Sequence, residues 1–152
     1  MLRQQLLQLL PRILLVASLA FFVACLFARG YYVDRADPRA QAEGWKLLVF
    51  GWIAIASGTL AWLGNPALFV SWSLLAANKP RLSLFSAIIG CVLVITFLFE
   101  RAVPTGEAPE PSLVVGYGIG YWLWLTSTVL QVAASAAALV PSAGRLAVSD
   151  AA

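Results

Sequence analysis

Long uncharged apolar runs separated by short polar stretches set the pattern of this chain. Ile13 to Ala28 is the first run, with Arg12 before it and Arg29 after it. Leu47 to Leu63 and Ala67 to Ala77 follow, parted by Gly64-Asn65-Pro66. Leu82 to Phe99 is next, and a stretch opening at Ser112 carries no charge as far as Val140. A helix needs roughly 20 apolar residues to cross a hydrocarbon core about 30 Å thick. The pattern therefore predicts an all-α fold, a polytopic transmembrane helical bundle with four crossings, in a single membrane domain over residues 1–152. The expected spans are 13–28; 47–64, with 67–77 as a broken or interfacial continuation; 82–99; and 113–140.

The Gly-Asn-Pro break lies after or within the second crossing. Proline lacks an N–H and fixes its own φ, and it biases the residue before it away from the α region. The helix is expected to stop at Gly64-Asn65 and restart with Pro66 in its first turn. Backbone groups freed there need partners at membrane depth. Asn65 carries both donors and an acceptor, so Asn65, with Trp62 and Ser71, is the candidate ligand site.

The first run has rival readings. A cleaved secretory signal would be followed by a polar stretch with a small-residue cleavage site, and none follows. Phe22-Val23-Ala24-Cys25 loosely matches a lipidation box, but the apolar run continues through Leu26 and Phe27. The run is read as a retained span. Ahead of it, Leu2, Leu6, Leu9 and Leu10 share one helical face and Gln4, Gln5 and Gln8 another, either an interfacial stretch or the first turns of the span; Pro11 is expected to separate the two. The polar connection from Arg29 to Lys46 and the proline-rich VPTGEAPEP segment read as exposed loops.

The last run is expected to be one long helix capped by Ser112. Gly116 and Gly120 then form a GxxxG pair for close helix approach. Tyr117, Tyr121, Trp122 and Trp124 read as an interfacial aromatic belt. Ser127, Gln131 and Ser135 recur at i, i+4 and i+8 beside Ala134 and Ala138, a polar stripe read as a helix-packing seam. In the preceding run, Ser83/Ala87 and Ser86/Gly90 offer similar small-residue pairs.

Composition narrows the function. Apolar residues make up 61% and charged residues 11%, against about 45–50% and about 25% in soluble domains. The net charge of +3 is spread over the ends of the runs, which gives no basic patch for nucleic acid. The absence of histidine removes the commonest metal ligand and proton shuttle. Cys25 and Cys91 form no metal-ligand spacing. No metal, cofactor or catalytic residue is expected, and the protein is not read as an enzyme. Spans without ionisable residues also argue against an ion-coupled transporter.

With four crossings, five basic residues fall on each side of the membrane, while Asp34, Asp37, Glu43, Glu100, Glu107 and Glu110 share the loop side. That balance and the short basic N-terminus place both termini in the cytoplasm.

The segments GWKLLVFGW, AWLGNPALFVSWSLL and GYWLWLTS resemble a group of small uncharacterised polytopic inner-membrane proteins of bacteria, over roughly Gly44 to Ser135. The shared marks are an aromatic-x-x-Asn-Pro break and a Gly-Tyr-x-Leu-Trp-Leu-x-Ser run. The resemblance implies a bacterial inner-membrane location and no particular activity. The function expected is a non-enzymatic accessory or structural subunit, partnered by lipid and by a second copy or another membrane protein. The alternative is a small transporter or lipid- or ligand-binding protein that uses the break at Asn65-Pro66.

Overall fold

The computed structural model describes residues 2–34, 42–103 and 112–140, with side chains from Leu9 onward. The amphipathic face over Leu2 to Gln8, most of VPTGEAPEP, the acids Asp37, Glu107 and Glu110, and the tail after Val140 lie outside the described side chains. Among the described residues the chain is mostly helical, as the apolar runs require, with one small sheet.

Helix α1 spans Leu2–Leu26 and passes through Pro11 without ending. The expected separation at Pro11 does not occur. A proline deletes one hydrogen bond and crowds the preceding turn, and a helix of 25 residues keeps the rest of its ladder.

The largest departure from expectation lies between residues 44 and 76. Helix α2 covers Gly44–Phe50 and continues as a 3₁₀ helix over Gly51–Ser57. The chain breaks at Gly58, not at Gly64-Asn65. Gly58 has φ 90°, a left-handed conformation that suits glycine. The Gly58 N–H donates to Ile55 O at 3.0 Å and the Thr59 N–H to Ala54 O at 3.1 Å, a helix end that satisfies its own carbonyls. A 3₁₀ turn at Ala61–Leu63 then runs directly into α3, Gly64–Ala76. Pro66 sits in the first turn of α3, where the leading N–H groups lack intrahelical partners anyway. It starts a helix and does not break one.

The helix that packs in the bundle is thus the 64–76 segment, and the 44–60 segment is an arm beside it. At 13 residues α3 is only about 20 Å long. Its buried residues are Gly64, Asn65, Leu68 and Ser71, whereas the arm helices bury none.

A turn containing Asn78, with φ 56°, leads to α4, Pro80–Thr96, extended by a 3₁₀ turn at Phe97–Phe99. The last run splits. Residues Ser112–Tyr117 are strand β3, and α5 covers Ile119–Ala137. Ser112 caps no helix, and Gly116 and Gly120 do not share one. Strand β3 is central to a three-stranded antiparallel sheet with β1, Tyr31–Val33, and β2, Ala102–Val103. Val114 and Val115 beside Gly116 suit a strand, and the partner strands come from both polar connections. The described ends of those connections, Tyr31–Val33 and Ala102–Val103, therefore pair with β3 into a small cap on one end of the bundle, where exposed loops were expected.

Four helices, α1, α3, α4 and α5, run alternately up and down. Two reciprocal serine clasps fix the pairs. Ser18 Oγ donates to Ser127 O at 2.8 Å and Ser127 Oγ to Ser18 O at 2.9 Å, joining α1 to α5. Ser71 Oγ donates to Ser83 O at 2.9 Å and Ser83 Oγ to Ser71 O at 2.8 Å, joining α3 to α4. Trp72 Nε1 donates to Ser18 Oγ at 3.0 Å and ties the two pairs together. Gly64 and Gly90 let α3 and α4 meet closely: a Cβ on Gly64 would lie 2.7 Å from Val94 Cγ2. A Cβ on Gly120 would lie 2.7 Å from Arg29 O, so the start of α5 rests on the backbone that leaves α1.

Outside these seams the helices face outward with apolar side chains. Val16, Val23, Phe85, Val92 and Val129 are each at least half exposed. The windows Leu9–Leu26 and Pro80–Phe99 are long and apolar enough to cross a membrane, and only 17% and 28% of them is buried.

Candidate functional site

The arm does not lie flush on the bundle. Beneath it is a cavity of about 430 Å³, walled by the arm, the start of α3, the end of α1 and the first half of α5. A volume of about 300–1,000 Å³ with mostly apolar walls and a few polar groups is typical of small-molecule sites.

Trp62 is the post that carries the arm. Its Nε1 donates to Leu48 O at 3.0 Å. A Cβ on Gly51 would lie 2.6 Å from Trp62 Cδ1, so glycine is what lets the 3₁₀ segment cross the indole. Thr59, just past the left-handed Gly58, is 6% exposed and lines the cavity.

Asn65 follows on the first turn of α3. It is 6% exposed and lines the cavity. Among the described residues neither its amide nor the Thr59 hydroxyl makes a side-chain hydrogen bond. Trp124, on α5, closes the floor; a Cβ on Gly64 would lie 3.5 Å from its Cζ2, next to the nitrogen edge of the ring. Trp124 Nε1 is buried and has no partner among the described residues. Buried indole N–H groups usually find an acceptor, and an orphaned one costs roughly 1–3 kcal/mol.

One charged residue, Lys46, lines the cavity among the described residues. Its Nζ lies 3.3 Å from Glu43 Oε2, and Trp45 Nε1 donates to the same oxygen at 2.8 Å. These two contacts, Lys46 first, hold the Glu43 carboxyl below its usual pKa. At the sheet end, burial raises the Tyr31 pKa. Tyr31 packs on Phe97 with ring centroids 5.3 Å apart, and Tyr117 and Tyr121 join the same cluster at 5.9 and 5.7 Å from Phe97. Tyr121 is 2% exposed, so the expected aromatic belt on the last helix is mostly an internal weld between sheet and bundle, with Trp122 its outward member.

The structure brings Asn65 and Trp62 to one cavity and leaves Ser71 out of it. Ser71 belongs to the α3–α4 clasp, where Gln131 Nε2 donates to its Oγ at 2.9 Å and Ser83 Oγ meets Ser135 Oγ at 2.7 Å. Ser127, Gln131 and Ser135 are all 0% exposed. Of the residues named for close packing, Gly116 stands in β3 opposite Tyr32; Gly120 makes its close approach together with Gly118, whose Cβ would meet the same Arg29 carbonyl.

Thr59 and Trp124 are the site residues that sequence reasoning missed. Trp124 carried a signal: it lies two positions from Trp122 on a helix, so the two indoles cannot share a face. No protein-family model, curated protein or solved structure matches the chain.

Proposed function

We propose that this is a membrane-embedded binding protein whose cavity under the 44–60 arm holds a small, largely apolar molecule. Helices α1, α3, α4 and α5 cross the bilayer of a bacterial inner membrane, with both termini on the cytoplasmic face and the sheet and arm on the other. The sparse burial of the long apolar helices supports this, since the core helix of a soluble protein is mostly buried. The observation that carries the binding role is Asn65, 6% exposed and without a side-chain hydrogen-bond partner among the described residues, in the wall of a cavity of about 430 Å³.

The accessory-subunit reading rests on small-residue seams, and those seams are occupied within this chain. Ser18, Ser71, Ser83, Ser127 and Ser135 all bond across its own helix pairs, and Gly64 and Gly90 face each other. Binding is therefore the better-supported role.

Purification in mild detergent, solvent extraction and mass spectrometry separate the two roles. A small molecule retained near one per chain, and lost in Asn65→Leu, is expected. A stoichiometric membrane-protein partner with no retained small molecule would return the subunit reading.

A further inference from the structure

The arm is apolar on both faces. Leu48, Gly51 and Ala54 recur three apart, share a face and line the cavity. Val49 and Trp52, also three apart, stay out of the lining and are 52% and 55% exposed. No charge falls between Leu47 and Ala77. A helix that is hydrophobic all round belongs inside a protein or a membrane, and neither helical segment of the arm buries a residue within this chain. Building on the binding role above, we infer that lipid covers the outer face of the arm and that the cavity takes the acyl chain of a bilayer phospholipid, admitted sideways between the arm and the bundle.

The arm is fastened at its ends. The Gly44 N–H donates to Ala28 O at 2.9 Å and the Gly30 N–H to Ala42 O at 2.7 Å, and a Cβ on Gly44 would run into the Cys25 carbonyl. The far end is the left-handed turn at Gly58. Between the two, the bond from Trp62 Nε1 to Leu48 O ties the arm to the turn before α3. A strap pinned at both ends and lightly held along its length can lift for a chain to pass, and that chain never leaves hydrocarbon.

The surroundings of the cavity are graded as an amphiphile is. Lys46, in the lining, pairs with Glu43 at 3.3 Å with both side chains more than two-fifths exposed. Trp45 stands beside them, a combination of charge and indole that suits the headgroup level. Phe22 and Phe97, both buried, line the same space. Asn65 and Thr59 donate and accept alike, so they do not choose the ligand; the arm does. A free fatty acid keeps its polar atoms at the wet end and leaves the buried Asn65 unmet. A phospholipid carries ester oxygens on the apolar side of its headgroup, within the reach of such a group.

The test uses the full chain in nanodiscs of phosphatidylethanolamine and phosphatidylglycerol, doped with a phosphatidylglycerol that bears a diazirine midway along one acyl chain. After illumination, digestion and mass spectrometry locate the attached lipid. Adducts are expected on the outward Val49 and Trp52 and also on the lining residues Trp62, Asn65 and Phe97. Ala54→Phe fills the cavity from the arm, which holds no part of the core. In that variant the adducts at Trp62, Asn65 and Phe97 should be lost and those at Val49 and Trp52 kept. Excess unlabelled fatty acid should leave the pattern unchanged.

Adducts on Val49 and Trp52 alone, with a non-lipid molecule retained near one per chain in detergent, leave the binding role standing and overturn the acyl chain. The same pattern with nothing retained overturns both. Adducts on the outward Phe85 of α4 with none on the arm place the arm in water and overturn the sideways route. Displacement by the fatty acid overturns the phospholipid. Lining adducts that persist in Ala54→Phe show that the chain lies outside the cavity. The wild-type map needs no variant, so a poorly folded Ala54→Phe leaves the other outcomes readable.

Discussion

Gln131 and Asn65 are both amide side chains enclosed by helices, 0% and 6% exposed, yet their surroundings differ. Gln131 lies among three serine hydroxyls of α3, α4 and α5; its Nε2 reaches Ser71 Oγ at 2.9 Å, while its Oε1 has no partner among the described residues. The unpaired edge of Gln131 meets a packed wall. Asn65 has no side-chain partner among the described residues, and it faces open space under the arm. An unpaired polar atom against a packed wall only costs stability, whereas one facing a cavity can be satisfied by a ligand. The serine seam is where the bundle is fixed, and the arm side is where it is left incomplete.

The most severe test of that contrast is Ser83→Val. Ser83 bonds Ser71 O and Ser135 Oγ in a site of 0% exposure. Valine adds bulk and strands the hydroxyls around it, a loss of about 3 kcal/mol. Thermal unfolding in detergent should show it; a variant as stable as the parent would mean the seam does not fix the helices.

On the arm side, Gly58→Ala places a side chain at φ 90° with nothing within 4 Å of its Cβ. The cost is conformational alone, about 1–2 kcal/mol. It should appear as faster amide hydrogen exchange over residues 51–60 with α4 and α5 unchanged. Equal acceleration in α5 would show that arm and bundle open together.

The two amides give the sharpest comparison. Gln131→Leu should lower stability by about 1 kcal/mol and leave ligand retention intact. Asn65→Leu loses no hydrogen bond, so stability should hold or rise by up to about 1 kcal/mol, while retention falls. The opposed signs are read by melting each variant and extracting its bound molecule. If Asn65→Leu is the more destabilised, the two regions have been told apart wrongly.

The smallest effect is at the mouth. The Glu43 carboxyl is depressed by the Lys46 and Trp45 hydrogen bonds, with Arg29 adding to the field. A depressed acid contributes stability above its ordinary value of 4.5 and loses it as pH falls through the lower folded value. Trp45 emission should change on acidification below about that ordinary value, and Glu43→Gln should flatten the response. An unchanged titration in Glu43→Gln would assign the effect elsewhere.

Much of this architecture is written in the chain. Long uncharged runs with arginines at their ends give helices at 2–26 and 80–96, because a helix pairs the backbone N–H and C=O groups of a long apolar segment within the segment itself. The 3.6-residue period placed Ser127, Gln131 and Ser135 on one face, and small residues at Ser83, Ala87 and Gly90 marked the close side of α4.

The tertiary structure decided the rest. The segments 47–63 and 67–77 are equally free of charge, so hydropathy cannot say which joins the bundle. The choice follows from Gly64 and Ser71 finding Gly90 and Ser83 on a neighbouring helix. Strand β3 needs β1, whose Tyr31 pairs with Tyr117 across the chain; no local pattern near Gly116 records that partner. Asn65 was legible as an exceptional polar residue beside a proline. That it would line a cavity shared with Trp124, and not bond the carbonyls of its own turn, depended on where α5 came to rest.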